Sequence, residues 1–201
     1  TFEGVGDFAA YGYLLDFDDS QALSSTTVGA RLFGSQAVRE GFDVMYTGEY
    51  AHQVDSGDNP VDIDADYWLA EVGVKHQGII FKLGNEHLGG SGDAGDKFST
   101  PLATLHKFNG FADLFLNTPD TGLEDRYAQL SGKIGPVKCA ATYHIFESDS
   151  DGIDYGKEID FTALYPVTER MTLGAKYAQF DADDAFTDTT RAMAWITYKL
   201  L

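Results

Sequence analysis

The stretch Arg191-Ala192-Met193-Ala194-Trp195-Ile196-Thr197-Tyr198-Lys199-Leu200 decides the fold. Ala192, Ala194, Ile196, Tyr198 and Leu200 alternate with Met193, Trp195, Thr197 and Lys199. A period of two sends successive side chains to opposite faces of an extended chain, whereas a helix repeats at 3.6. The same period recurs upstream. Met171, Leu173, Ala175 and Tyr177 oppose Thr172, Gly174 and Lys176, and Ile159, Phe161, Ala163 and Tyr165 oppose Glu158, Asp160 and Thr162. Val137, Cys139, Ala141, Tyr143 and Ile145 oppose Lys138, Thr142 and His144. Comparable segments centre on Leu130, Phe81, Val72, Val44, Ala30 and Tyr11, which makes ten candidate strands. In the first of them the expected apolar face is Ala9, Tyr11, Tyr13 and Leu15, though Ala10, Gly12 and Leu14 blur the contrast.

Each strand thus has an apolar face and a face carrying charges of both signs. A soluble β-sandwich alternates in the same way, with its apolar face packed inward. A membrane barrel does so inside out, with apolar residues toward lipid, polar residues toward a wet lumen and aromatics at the interfaces. Alternation alone leaves both open. Composition narrows the partners. With 32 acidic against 14 basic residues the net charge is −18, which repels a polyanion and excludes nucleic acid. The 13% aromatic content argues against disorder. The single cysteine, Cys139, excludes an internal disulfide framework and a cysteine-rich zinc site. No run approaches the roughly 18 apolar residues of a spanning helix. The start, Thr1-Phe2-Glu3-Gly4, lacks a basic segment followed by an apolar one and reads as a mature or truncated end.

The links separate the two architectures. Those at 17–25, 53–66, 87–123, 147–157 and 181–189 are long; those at 34–41, 77–78, 135–136 and 166–170 are shorter. Long and short alternate along the chain, which puts all tight turns at one end of a meander and all long loops at the other, as in an outer-membrane barrel. Greek-key sandwiches have no reason to keep that order. Aspartates crowd the long links, whereas the short ones carry only Glu40 and Glu169, each beside an arginine. We therefore expect an all-β, antiparallel up-and-down transmembrane β-barrel of about ten strands over residues 1–201, either a whole domain or part of a larger barrel. Its long-loop rim is acidic.

Ser99-Thr100-Pro101-Leu102-Ala103-Thr104-Leu105-His106-Lys107-Phe108, followed by Gly110-Phe111-Ala112-Asp113, Thr118-Pro119 and Gly122-Leu123-Glu124-Asp125, resembles a segment of bacterial outer-membrane porins of the alginate-export type. Ala65-Asp66-Tyr67-Trp68-Leu69-Ala70-Glu71-Val72-Gly73 and Leu173-Gly174-Ala175-Lys176-Tyr177 fit the same resemblance. It covers most of residues 9–201, and matches the C-terminal half of a longer family. It implies a bacterial outer-membrane location, membrane lipid and lipopolysaccharide as surroundings, and a channel function. Further strands or a homo-oligomer would complete the barrel. The chain departs from the barrel pattern in ending on Lys199-Leu200-Leu201 instead of an aromatic.

On the polar faces, the expected pore-lining charges are Arg31, Lys75, Lys82, Lys133, Lys138, Lys176 and Lys199, against Asp43, Glu49, Glu71, Glu158 and Asp160. A near-balanced wall beneath an acidic rim favours cations or neutral solutes over alginate, itself a polyanion. In the link 87–123, Thr100-Pro101 reads as a helix start, with Leu102, Leu105 and Phe108 at helical spacing and Pro119 as a stop. A short helix there would fold into the lumen as a constriction carrying His106 and Lys107, or lie on the rim.

Glu147, Asp149 and Asp151 before Gly152, with Glu158 following, resemble a calcium loop. The first ligand is Glu and the flanks read as strands, so we take the match as coincidental. The histidines show no metal-ligand spacing. No nucleophile elbow or phosphate-cradling glycine run occurs, and neither a cofactor nor an enzymatic activity is implied. A passive porin is the favoured function. The alternative is a secreted soluble β-protein binding carbohydrate or calcium through acidic loops.

Overall fold

The computed structural model describes residues 5–200, so the reading of Thr1–Gly4 as a chain start, and Leu201, lie outside the described residues. Ten strands follow one another: β1 (Asp7–Leu15), β2 (Ser25–Arg39), β3 (Phe42–Asp55), β4 (Asp64–His76), β5 (Ile79–Leu88), β6 (Leu123–Ile134), β7 (Val137–Glu147), β8 (Asp154–Pro166), β9 (Met171–Ala182) and β10 (Thr189–Tyr198). They form one antiparallel sheet in sequence order. The sheet is open among the described residues: β1 pairs only with β2 and β10 only with β9. Strands of 9 to 15 residues are long enough to cross a bilayer when tilted.

The link pattern is sharper than the sequence suggests, because β2 continues to Arg39. The turns at 40–41, 77–78, 135–136 and 167–170 share one end of the sheet, and the links at 16–24, 56–63, 89–122, 148–153 and 183–188 share the other.

Cross-strand partners share a face, so the register fixes which side each residue takes. Arg31 opposite Glu49, Glu49 opposite Leu69, and Leu69 opposite Glu86 lie on one face, which continues through Asp125 to β10 at Arg191 and Met193. The other face carries Val28, Leu32, Tyr50, Val72, Phe81, Leu130, Tyr143, Phe161, Leu173 and Ile196, all exposed. A sandwich would bury that row between two layers. Here the buried side chains instead gather on the charged face, beneath the link 89–122.

Strand β1 corrects the expectation. Register with β2 puts Ala9, Tyr11, Tyr13 and Leu15 on the polar face, and Phe8, Ala10, Gly12 and Leu14 on the apolar one. The Tyr11 hydroxyl explains the choice: it donates to Glu49 Oε1 at 2.7 Å, a bond possible only from that side. Leu14, with no polar atom, points outward and is 75% exposed. The expected helix is also absent. Residues 100–119 form successive turns, with positive φ at His106, Asn109 and Asp113. The His106 N–H goes to Asp113 Oδ1 within the link, and the Phe111 and Ala112 N–H groups go to Glu158 of β8, in place of carbonyls four residues back.

The link is anchored by aromatics. Phe115 packs against Phe146, Tyr155 and Phe186 at centroid separations of 4.5, 5.6 and 5.1 Å. Phe98 stacks on Tyr67 at 5.2 Å. Removing a buried aromatic ring costs about 3–5 kcal/mol. Phe115→Ala should therefore loosen the link while leaving the sheet intact, read as faster tryptic cleavage after Lys107 with unchanged β-sheet circular dichroism.

Candidate functional site: a charged sheet face crossed by one long link

The charges on the polar face are cross-linked between strands. Arg31 Nη1 lies 3.1 Å from Glu49 Oε2, Lys82 Nζ 2.9 Å from Glu71 Oε1, and Lys75 Nζ 3.7 Å from Asp43 Oδ2. Tyrosine hydroxyls complete the set: Tyr67 donates to Glu86 at 2.7 Å and Tyr127 to Glu71 at 2.9 Å. Each strand supplies its residue because period two returns to the same face at every second position.

The link 89–122 folds back over this face and touches successive strands. Over β3, Ser99 and Gln53 exchange two bonds, at 2.7 and 3.0 Å. Over β5 and β6, Asn109 Nδ2 donates to Glu86 at 3.0 Å and Asp125 at 3.3 Å. Over β8, the Phe111 and Ala112 N–H groups both donate to Glu158 Oε1, at 2.6 and 2.9 Å. Phe111 N–H also reaches Asp160 Oδ2 at 3.1 Å. Glu158 and Asp160 are each 1% exposed, so these bonds replace part of the hydration that burial removes. Gly110, at φ +86°, is required here: a Cβ would stand 2.6 Å from Glu158 Oε2. Over β9, Lys176 donates to the His106 carbonyl, and its ammonium sits 3.9 Å from the Phe111 ring centre. Over β10, Arg191 pairs with Asp113, which also contacts His106.

At the neck of the link, Lys97 Nζ lies 2.7 Å from Asp120 Oδ1. That hydrogen bond holds the Asp120 carboxyl below its usual range. The contribution is present at neutral pH and is lost in acid, as pH falls through the lowered value.

Between the polar face of β1–β5 and the segment 98–104 runs an open cleft of about 470 Å³, lined by Tyr11, Thr27, Arg31, Glu49, Gln53, Tyr67 and Glu86. Of the expected lining charges, Arg31 and Glu49 border it. Asp43, Glu71, Lys75, Lys82, Lys133 and Lys138 share its face toward the short-turn end. Glu158, Asp160 and Lys176 also share the face but hold the link down. Lys199 lies beyond β10, bonded through its N–H to the Arg170 carbonyl. His106 belongs to the Asp113 contact, while Lys107 is exposed and lies against Phe108.

The residues resembling a calcium loop do not converge. Glu147 pairs with Arg126, Asp149 accepts from the Gly90 N–H, and Glu158 lies under the link. Sequence reading missed Glu86, Asp125 and Arg191 because it ended the fifth strand at Leu83 and began the sixth and tenth at Ala128 and Ala192. Extending period two by one to three residues recovers them.

No family model matches the sequence, and no curated protein does. Among solved structures, the chain is similar to OmpF of Salmonella typhi in complex with daunomycin, with a TM-score of 0.60 at 12% identity over 94% of this chain and 56% of that one. The fold is porin-like. This chain spans little more than half the length of the neighbour. Nothing in these matches bears on the alginate-export type in particular.

Glu158→Gln keeps the shape of the anchor but removes its charge. A hydrogen bond to a charged group contributes about 1.5–3 kcal/mol, so amide hydrogen exchange at Phe111 and Ala112 should accelerate at least tenfold, with strand amides unchanged.

Proposed function

We propose that the chain is part of a bacterial outer-membrane porin of the alginate-export type, a passive channel for small solutes or ions with a weak lean toward cations. The observation that carries this reading is the division of the sheet. One face is apolar and exposed over its middle and short-turn part, turning charged at the long-link end where Glu124 and Arg126 stand; the other is ionic and crossed by the link. In a closed barrel the ionic face encloses water and the link 89–122 narrows the passage. Free strand edges are untenable in hydrocarbon, since unpaired backbone groups cost several kcal/mol each. β1 and β10 are therefore paired by further strands of a longer polypeptide or by a second copy. Membrane lipid and lipopolysaccharide surround the apolar face.

Solutes pass beside the link, along the cleft bounded by β1–β5 and residues 98–104. Wall charges there are largely neutralised in pairs, Arg31 with Glu49 and Lys82 with Glu71. Selectivity then falls to the long-link end, where aspartates such as Asp58, Asp62, Asp183 and Asp184 stand. Negative charge at a pore mouth raises the local cation concentration and repels anions. This favours cations or neutral solutes over alginate. The resemblance to alginate-export porins at residues 99–125 supports the type and leaves the solute to be measured.

Planar-bilayer recording on the complete protein tests the reading. Discrete conductance steps with a cation-leaning reversal potential in a salt gradient are expected. Deleting residues 101–109 should raise the conductance, and changing Asp58 and Asp62 to Asn should reduce the cation preference. A folded protein that dissolves without detergent and gives no conductance would contradict it.

A further inference from the structure

We propose that His87, Glu124 and Asp149 form a binding site for a divalent metal ion of the zinc class, on the outward face of the sheet at its long-link end. The site stands on local geometry and does not depend on the channel reading.

His87 is the penultimate residue of β5, and its cross-strand partner is Glu124 at the start of β6. Asp149 comes from the link between β7 and β8. One ligand atom from each lies within 4.8 Å of the other two. His87 Nδ1 stands 2.5 Å from Glu124 Oε1 and 3.8 Å from Asp149 Oδ1. A single Nδ1–H can serve Glu124, but at 3.8 Å it does not reach Asp149. A cation bound tetrahedrally at about 2.1 Å holds its ligand atoms roughly 3.4 Å apart. The two observed distances bracket that spacing, so small side-chain rotations bring all three donors onto one ion.

The surroundings fix the donors as the outer partners of a metal site do. The Trp68 ring stacks on the imidazole, 5.5 Å between centroids and 9° between planes. The Gly90 N–H donates to Asp149 Oδ2 at 3.2 Å, leaving Oδ1 to face His87. The Ser150 N–H donates to the Thr121 carbonyl at 3.0 Å, which ties the Asp149 segment to the residues that lead into β6 and Glu124. Gly122 permits the approach: a Cβ there would stand 2.6 Å from the Asp149 Cβ. Glu147, opposite Glu124 in the register, is already committed to Arg126. The three ligand side chains are 12%, 23% and 33% exposed, open enough for an ion and its water to enter.

The donor set selects the metal. One imidazole nitrogen with two carboxylates suits zinc and its neighbours, whereas calcium and magnesium favour sites built wholly of oxygen. The site escapes a sequence scan because His87 and Glu124 stand 37 positions apart and meet only through strand pairing.

Titration calorimetry of the metal-stripped full-length protein in detergent, with zinc chloride as the probe, tests the site. One equivalent should bind with micromolar affinity and more tightly than calcium. His87→Ala and Asp149→Asn should each weaken zinc at least about 100-fold. Trp68→Ala, which removes only the stacking partner, should weaken it about tenfold. His52→Ala, beside the exposed Asp64 and Asp66, should leave it unchanged. Should a ligand variant fail to fold, cobalt added to the unaltered protein provides a second readout, with visible absorption bands of a nitrogen-and-oxygen site expected. The proposal is overturned by zinc affinity that survives both ligand variants, by calcium binding more tightly than zinc, by no zinc uptake at millimolar concentration, or by cobalt giving only the spectrum of its hydrated ion.

Discussion

Side chains in a single pleated layer alternate between two environments, and that constraint governs the whole structure. Once Arg31 and Glu49 pair on one side, the register carries Leu69, Glu86, Asp125 and Arg191 to the same side. Val28, Val72, Phe81 and Phe161 are thereby sent to the other. A one-residue slip in any strand would put a charge among the apolar row and an aliphatic side chain among the ions. In the proposed channel the surroundings are divided in the same way, hydrocarbon on one side and water on the other.

The ionic face brings its own problem, because buried carboxylates need donors. The link 89–122 meets much of that need, though Glu158 Oε2 and Asp160 Oδ1 keep no hydrogen-bond partner among the described residues. Its backbone amides at 111 and 112 serve Glu158, the Asn109 amide serves Glu86 and Asp125, and the Ser99 pair satisfies Gln53. Aromatic packing at Phe115 then fixes the far part of the link against β7 and β8. A segment without regular helix is thus tied to several strands, and a cleft runs beside its residues 98–104.

The sequence made most of the fold legible, because period two is a local signal and the division of links into long and short needs no tertiary information. It failed where two signals competed. Tyr11 and Tyr13 look apolar in a pattern, yet a phenol takes the side where its hydroxyl finds a carboxylate. Leu102, Leu105 and Phe108 have helical spacing, yet the chain there turns repeatedly, with positive φ at His106 and Asn109. Glu86, Asp125 and Arg191 were missed for a simpler reason: charges near strand ends look like loop residues. The grouping of His87, Glu124 and Asp149 was out of reach of any spacing rule, since its three parts come from different elements.

The two tryptophans report the central division directly, because Trp68 lies on the apolar face and Trp195 on the ionic one. Replacing each in turn by Phe leaves a single emitter, which can be reconstituted in bilayers containing brominated lipid and then exposed to aqueous iodide. Emission from Trp68, near the long-link end of the apolar face, should be quenched by the lipid and less by iodide than that of Trp195, which should respond to iodide and not to the lipid. Equal quenching of both by iodide, with no effect of brominated lipid on either, would contradict a sheet that faces hydrocarbon on one side and water on the other.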